Sequence, residues 1–388
     1  MSCRFLQDHR PPDPRRASHK DQEVWIDAIC EGLEKKTGRF VSYRNRTVFR
    51  RITNGEMETK VSVLAFSEED RSTQVQIGDP PGGPVVAAMP RLTTTVPREY
   101  VHRSSLAEVF LSGCEKLDDT HFALFGQWPR AHTFFTSNDG VRHDSMQAVE
   151  TIRQVGLYLA HAEFGVPLGH QFVMWDMTVT TYAEYLAIGT APSELNLTAA
   201  CTEMKWKGKR LAEFTMHVTV ERDGMLCAAG GGRFTCIAPA AYQRLRGPST
   251  QARRTQRLHA VSSDAPSALG RVTPFDVVLA ATDQPGRWLV DPDPRHPILF
   301  DHDADHIPGM VLMEAARQAA CSLTQPRPLT PSHLHAEFLR YAEFDAPCWI
   351  EASLEPAAES GAVSVRVMGR QNSQDVFAAR ISGTLDGR

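Results

Sequence analysis

The chain has 388 residues, room for two domains, and its 42% hydrophobic and 23% charged content is that of an ordinary folded protein. A net charge of −4 excludes a general nucleic-acid binder, because neutralising phosphates needs a basic surface. No run of about 18 apolar residues occurs, and the start, MSCRFLQDHRPPDPRR, has no apolar segment behind its basic residues, so neither a membrane span nor secretion is expected.

Residues 1–92 read as an N-terminal extension, either a small docking appendage or a poorly ordered lead-in. Within it, DQEVWIDAICEGLEKKTG places Trp25, Ile29 and Leu33 on one helical face and stops at Gly38. KVSVLAF and TQVQI follow as short strands. From Glu99 the pattern is denser: EYVHRSSLAEVFLSG, then HFALFGQWPRAHTFF, then a helix near Asp144. Asp144 is placed to cap that helix, with Gln147 reaching back. HQFVMWDMTVTTY, MKWKGKRLAEFTMHVTVERDG and MLCAAGGGRFTCI alternate like strands. The polar, basic stretch 248–270 reads as a linker. RVTPFDVVLA, GRWLVDP, a second helix, HLHAEFLRYAEF, CWIEASLE, AVSVRVMG and VFAARISGTL then repeat the same order. The expected fold is α+β: two tandem units, 93–247 and 271–388, each a long buried helix wrapped by an antiparallel sheet. Two such units normally pair side by side, and one chain supplies both.

The duplication is plainest at the helices. HTFFTSNDGVRHDSMQAVETIRQVGLYL lies over HPILFDHDADHIPGMVLMEAARQAACSL without a gap. It pairs His132 with His296, Glu150 with Glu314, Arg153 with Arg317 and Gln154 with Gln318, each 164 positions apart. Glu314, Arg317 and Gln318 share one helical face, and their neighbours are apolar almost all round. A carboxylate and a guanidinium are carried into a core, as a structural ion pair or as machinery. His132 and His296 either orient a substrate or bond the backbone. Asp301, His302, Asp303, Asp305 and His306 form a turn rich in oxygen and imidazole donors, but with no convincing second set of ligands no metal site is assigned. No cofactor is implied. The eight cysteines, with no CxxC and no zinc spacing, fit reduced thiols in a cytoplasm.

The stretches DHIPGMVLMEAARQA, HRSSLAEVFLSG, QWPRAHTFF, ETIRQVG and AHAEFGVPLGHQF closely resemble the A-factor biosynthesis (AfsA-like) hotdog family of actinobacteria, over roughly residues 93–388. The PGMVLMEA run is more distantly similar to β-hydroxyacyl-ACP dehydratases. The AfsA-like resemblance implies transfer of a β-ketoacyl group from an acyl-carrier-protein thioester to the hydroxyl of dihydroxyacetone phosphate. That transfer opens the route to γ-butyrolactone, butenolide or furan signalling molecules that control antibiotic production. It carries over Glu150, Glu314 and Arg317 as the acidic and basic positions.

Chemically, Glu314 is expected to be the base, since an apolar site raises a carboxyl pKa. Gly309 and Met310 at the helix start offer N–H groups to a developing oxyanion. Arg317, with Arg153 or Arg130 in reserve, suits a phosphate, and Gln318, His302 and His306 complete the expected set. The segment between His302 and the Pro-Gly turn is shorter than in dehydratases, which weighs against dehydration. Asn138 and Arg142 stand where His302 and His306 would match, so one principal site is expected rather than two equal ones. The alternatives are a hotdog thioesterase or dehydratase, or a non-catalytic acyl-binding protein. A homodimer is left open.

Overall fold

The computed structural model describes residues 93–247, 249, 265–356 and 361–385. The helix and strands expected within 1–92 lie outside these residues. The strands are β1 (Leu111–Lys116), β2 (His121–Trp128), β3 (Gln171–Thr181), β4 (Ser193–Lys207), β5 (Arg210–Arg222), β6 (Met225–Ile237), β7 (Leu279–Ala281), β8 (Arg287–Val290), β9 (Leu329–Phe338), β10 (Trp349–Glu355), β11 (Ala362–Gln371) and β12 (Gln374–Leu385). The helices are α1 (Ser145–Tyr158), α2 (Pro239–Arg246) and α3 (Gly309–Leu323).

All twelve strands join one antiparallel sheet in the order β1-β2-β4-β5-β6-β3-β9-β12-β11-β10-β8-β7. The order reads the same from either end once each strand is replaced by its counterpart in the other repeat. The seam is β3 against β9, where Thr178 faces His335 and Val179 faces Leu334. Because pairing continues across the seam, neither repeat exposes an inner sheet edge. At Gly231 of β6 an added Cβ would lie 1.8 Å from the Met216 carbonyl, so only glycine lets the strands approach that closely.

Each half-sheet wraps one helix. α1 buries Met146, Val149, Ile152 and Val155, and α3 buries Val311, Leu312, Met313, Ala316 and Ala320. Burial at nearly every position, as the sequence led one to expect, means these helices are held by packing rather than by local propensity. The Asp144 carboxylate caps α1 by accepting from the Met146 N–H at 2.8 Å. Gln147 does not close the expected capping box; its side-chain oxygen pairs with His143 at 3.0 Å. Pro308 stands just before α3 as its cap residue. α1 widens at its end into a π-helical turn, Leu159–Glu163, which α3 lacks.

The start of the second repeat corrects the linker boundary. The turn Pro266–Leu269, inside the stretch read as linker, matches the turn Arg98–Val101 of the first repeat, so the second repeat begins before residue 271.

Candidate active site

The Glu/Arg/Gln faces of α1 and α3 are each the centre of a larger polar cluster, and the two clusters match residue for residue. Glu314 receives Arg271 Nε at 2.7 Å and Nη2 at 2.6 Å, Arg317 Nε at 2.9 Å and Nη2 at 2.8 Å, and Gln318 Nε2 at 2.6 Å. Glu150 receives Arg103 Nε at 3.0 Å, Arg153 Nε at 2.8 Å and Nη2 at 2.9 Å, and Gln154 Nε2 at 2.7 Å. Gln318 also ties the helix to the preceding turn, accepting from Val278 N–H and donating to the Asp276 carbonyl; Gln154 does the same with Phe110 and Glu108. Arg103 and Arg271 stand 168 positions apart, not 164, which hides their equivalence in an ungapped overlay.

Each of these arginines also crosses to the other repeat. Arg103 Nη1 donates to the Ile298 carbonyl at 2.8 Å, and Arg271 Nη1 to the Phe134 carbonyl at 2.5 Å. The clusters therefore clasp the two halves reciprocally. His132 and His296 serve the same framework: each Nδ1 accepts two backbone N–H groups, and each Nε2 faces a carboxylate, Glu108 or Asp276. Of the two readings for these histidines, bonding to the backbone is the one the geometry supports.

This geometry overturns the expected reason for making Glu314 a base. Burial alone would raise its carboxyl, but the charges and hydrogen bonds of Arg271 and Arg317 override that and hold it down at about 2. Glu150 is likewise opposed by burial but held down at about 2 by Arg103 and Arg153. Both carboxylates are fully buried with both oxygens occupied, so neither has a lone pair aimed at a substrate. Gln318 is spent in the same way. Arg317 is closed off, its Nη2 donating to the Leu269 and Gly270 carbonyls and its Nη1 to Cys321 Sγ. It is no free phosphate clamp.

The two corners where these arginines emerge differ. In the second repeat the turn ends at Gly270, with φ +68°, and an added Cβ there would lie 2.7 Å from Arg317 Nη1. In the first repeat the matching residue is His102, in the same left-handed conformation, φ 53° and ψ 52°. That region costs a residue with a Cβ on the order of 1 kcal/mol. Beside it Arg153 keeps some exposure, and its Nη1 has no hydrogen-bond partner among the described residues.

His102 Nε2 lies 2.9 Å from His161 Nε2, and His161 Nδ1 lies 2.6 Å from the Val166 carbonyl. Tyr100 stacks on His161, and Phe172 of β3 meets both imidazoles edge-on. Burial, then the charges of Arg153, His161 and His302, push His102 down to about 3. His161 is lowered mainly by burial. His302 sits exposed at the rim, yet desolvation and the charges of Arg153 and Arg103 lower it too.

The loop carrying His302 is anchored by Asp301, whose carboxylate accepts from Ser104 N–H at 2.5 Å and Ser105 N–H at 3.2 Å. From there it runs to Pro308 and the start of α3. Gly309 opens toward Phe338 and Met174, whose atoms would lie 3.1 and 3.5 Å from an added Cβ. The N–H groups of Gly309 and Met310 belong to the first turn, which has no intrahelical acceptors. Phe172 and Met174 alternate onto the same face of β3, about 7 Å apart, so the histidine corner and the α3 start share one stretch of strand. By the pseudo-twofold, the counterpart of this region is a cleft at Ser145 and Met146, lined by Arg317 and His333, with a cavity of only about 10 Å³.

Of the expected residues, then, the structure brings Arg153 and His302 together at the open corner, with Gly309 and Met310 at the other end of the loop. His306 is elsewhere, bonded to Asp305 at 2.6 Å and edge-on to Tyr341. Asp305 in turn accepts from Tyr242 of α2. Arg130 is tied to the Gly189 carbonyl. His102 and His161 lie inside HRSSLAEVFLSG and AHAEFGVPLGHQF but were not singled out, since neither has a histidine counterpart in the other repeat and 59 residues separate them in the chain. Among the described residues no group of three or more His, Cys, Asp or Glu is arranged to hold a metal ion.

Two buried helices, each wrapped by half of one antiparallel sheet and clasped to the other by a reciprocal arginine, define a tandem hotdog protein. The chain belongs to the A-factor biosynthesis hotdog family, whose model matches residues 86–238 and 250–385. It is 48% identical over 290 residues to a 2-oxo-3-(phosphooxy)propyl 3-oxoalkanoate synthase of Streptomyces virginiae, covering 75% of this chain and 98% of that one. It is 36% identical to the protein of the same name from Streptomyces coelicolor, covering 74% and 91%. Among solved structures it is distantly similar to a putative oleoyl thioesterase from Lactobacillus plantarum, with a TM-score of 0.43 at 12% identity, covering 70% of this chain and 99% of that one.

Proposed function

We propose that this protein transfers a 3-oxoacyl group from an acyl-carrier-protein thioester to the hydroxyl of dihydroxyacetone phosphate, opening the route to a γ-butyrolactone, butenolide or furan signal. The observation that carries this reading is the 48% identity spanning 98% of a relative named for that product. The reaction breaks the thioester C–S bond and makes an ester C–O bond, so the protein must remove a hydroxyl proton and stabilise charge on the carbonyl oxygen. The N–H groups of Gly309 and Met310, with the α3 dipole behind them, suit the second task. Arg153 suits the phosphate, with an Nη1 left over after Glu150 is satisfied. Glu150, Glu314, Arg317 and Gln318 are assigned to the framework that holds both helices in place.

Both repeats come from one chain, so the site needs no second subunit. The division into repeats at 93–247 and 271–388 joined by 248–270 is kept, with the Pro266–Gly270 turn moved to the second repeat. No described helix is long and apolar enough to cross a membrane, and the six described cysteines are unpaired. Free thiols support a reducing, cytoplasmic setting.

The test is to supply a 3-oxoacyl thioester with and without dihydroxyacetone phosphate and follow products by mass spectrometry. A phosphorylated ester formed only with the acceptor is the expected result. Free acid at the same rate in both arms would make the protein a thioesterase, and tight acyl binding without turnover would make it an acyl-binding protein.

A further inference from the structure

We propose that His102 is the base that takes the acceptor's hydroxyl proton, through an Nδ1 whose lone pair is fixed in place by His161. The inference rests on the acyl-transfer reading for the identity of the acceptor, but its geometry is independent of it.

The tautomers follow from the hydrogen bonds. A carbonyl oxygen only accepts, so at 2.6 Å from the Val166 carbonyl, His161 Nδ1 carries the proton. A neutral His161 then has a bare Nε2. The contact of 2.9 Å with His102 Nε2 requires one proton between the two nitrogens, and it must come from His102. A neutral His102 with its proton on Nε2 has its lone pair on Nδ1, and that atom has no hydrogen-bond partner among the described residues. The backbone carbonyl, His161 and His102 thus form a chain in which each member orients the next, the role a third group plays behind a catalytic imidazole.

Three further observations support a working role for this residue. His102 is held in the left-handed region that Gly270, its counterpart, occupies without strain. A conformation kept at a cost in one repeat and relieved in the other is a mark of use. His161 rides on the π-helical turn that only the first helix has, and such turns concentrate at functional sites. The loop from Asp301 and the Phe172–Met174 face of β3 both lead from His102 to the α3 start, where the thioester oxygen would find its N–H donors.

The step balances within the two substrates. The hydroxyl O–H breaks and its proton goes to His102 Nδ1. The oxygen forms a bond to the thioester carbonyl carbon, the tetrahedral adduct expels the thiolate, and the imidazolium returns the proton to sulfur. With nothing bound His102 is a weak base; an acceptor phosphate on Arg153 would offset the guanidinium charge that depresses it.

Two measurements test this. In protein labelled with nitrogen-15 at histidine, long-range nitrogen–proton correlation spectra should show His102 protonated on Nε2 and His161 on Nδ1, with His102→Asn and His161→Gln used for assignment. Protonation of His102 on Nδ1 would overturn the proposal whatever the protein catalyses. Second, His102→Gly and His102→Asn, both tolerant of the left-handed conformation, should remain folded and lose about 100-fold or more in kcat. The KM for the thioester should hold, and added imidazole should restore part of the His102→Gly rate. Turnover of His102→Gly within about threefold of the parent chain, a small change against the 100-fold or more expected of a base, would sink the proposal. If the parent chain yields free acid instead of ester, the acceptor reading fails, while a matching loss of hydrolysis in His102→Gly still upholds the base. If ester forms normally in both, the base fails and the acceptor reading stands.

Discussion

The corner around Gly270 and the corner around His102 began from the same plan, and they differ in what is allowed to touch the arginine. In the second repeat, glycine lets the turn close on Arg317, which spends its donors on Glu314, two carbonyls and Cys321. In the first, an imidazole takes glycine's place, Arg153 keeps a free edge, and His161 and His302 gather around it. On the reading proposed above, the identical Glu/Arg/Gln triplet is support, and the chemistry lies where the repeats depart from one another.

The largest effect expected from breaking this comparison is at the carboxylates. Glu314→Gln strips Arg271 and Arg317 of the carboxylate that pairs with both, with Asp144 Oδ2, 3.5 Å from Arg271 Nη1, a partial substitute, and should cost roughly 3–5 kcal/mol, read as a lower midpoint in urea. Glu150→Gln should fall in the same direction by less, because the Arg153 side chain is 16% exposed against 5% for Arg317 and reaches water more readily.

Exchanging the corner residues comes next. Gly270→His forces a Cβ into the left-handed region and onto Arg317 Nη1, at a cost of about 1–3 kcal/mol. The reverse change, His102→Gly, relieves the same strain and should leave the melting temperature level or slightly raised. A large loss of stability in His102→Gly would show that the imidazole is a packing element.

The smallest effect expected is in acid. His102 lies below its ordinary 6.5, at about 3. As pH falls through 6.5 the unfolded chain takes a proton that the folded chain refuses, so its contribution to stability is full above 6.5 and declines toward 3. In His102→Gly the loss over that window should be shallower in urea melts at stepped pH. Both variants should still weaken from about 4.5 toward 2, where Glu150 and Glu314 are forced to protonate.

Much of this was legible in the residues. The order of strands and helices and both triplets follow from periodicity and from the offset of 164 between the helices; which strands form the seam does not. The polar run SELNLTAAC hid the first half of β4, because a buried Ser193 on the inner face, with Glu194 and Asn196 on the outer one, masks the alternation. Arg103 and Arg271 escaped notice because the stretch between them and the helices differs in length by four positions, which breaks an ungapped overlay. The acid–base assignment went wrong for a physical reason: an apolar helix face says a carboxylate is buried, but not that two guanidinium groups from distant turns will surround it. His102 was invisible for a different one, since its value depends on a backbone conformation and on a π-helical turn 59 residues away.

The reciprocal clasp, in which Arg103 reaches the Ile298 carbonyl and Arg271 the Phe134 carbonyl, has a consequence for what such a chain is free to become. Were the halves separate and identical, every substitution would strike both ends of the dyad at once, and a residue good for turnover would have to be tolerated where only cohesion matters. Joined in a single polypeptide, one end can stay a rivet while the other is whittled into a tool.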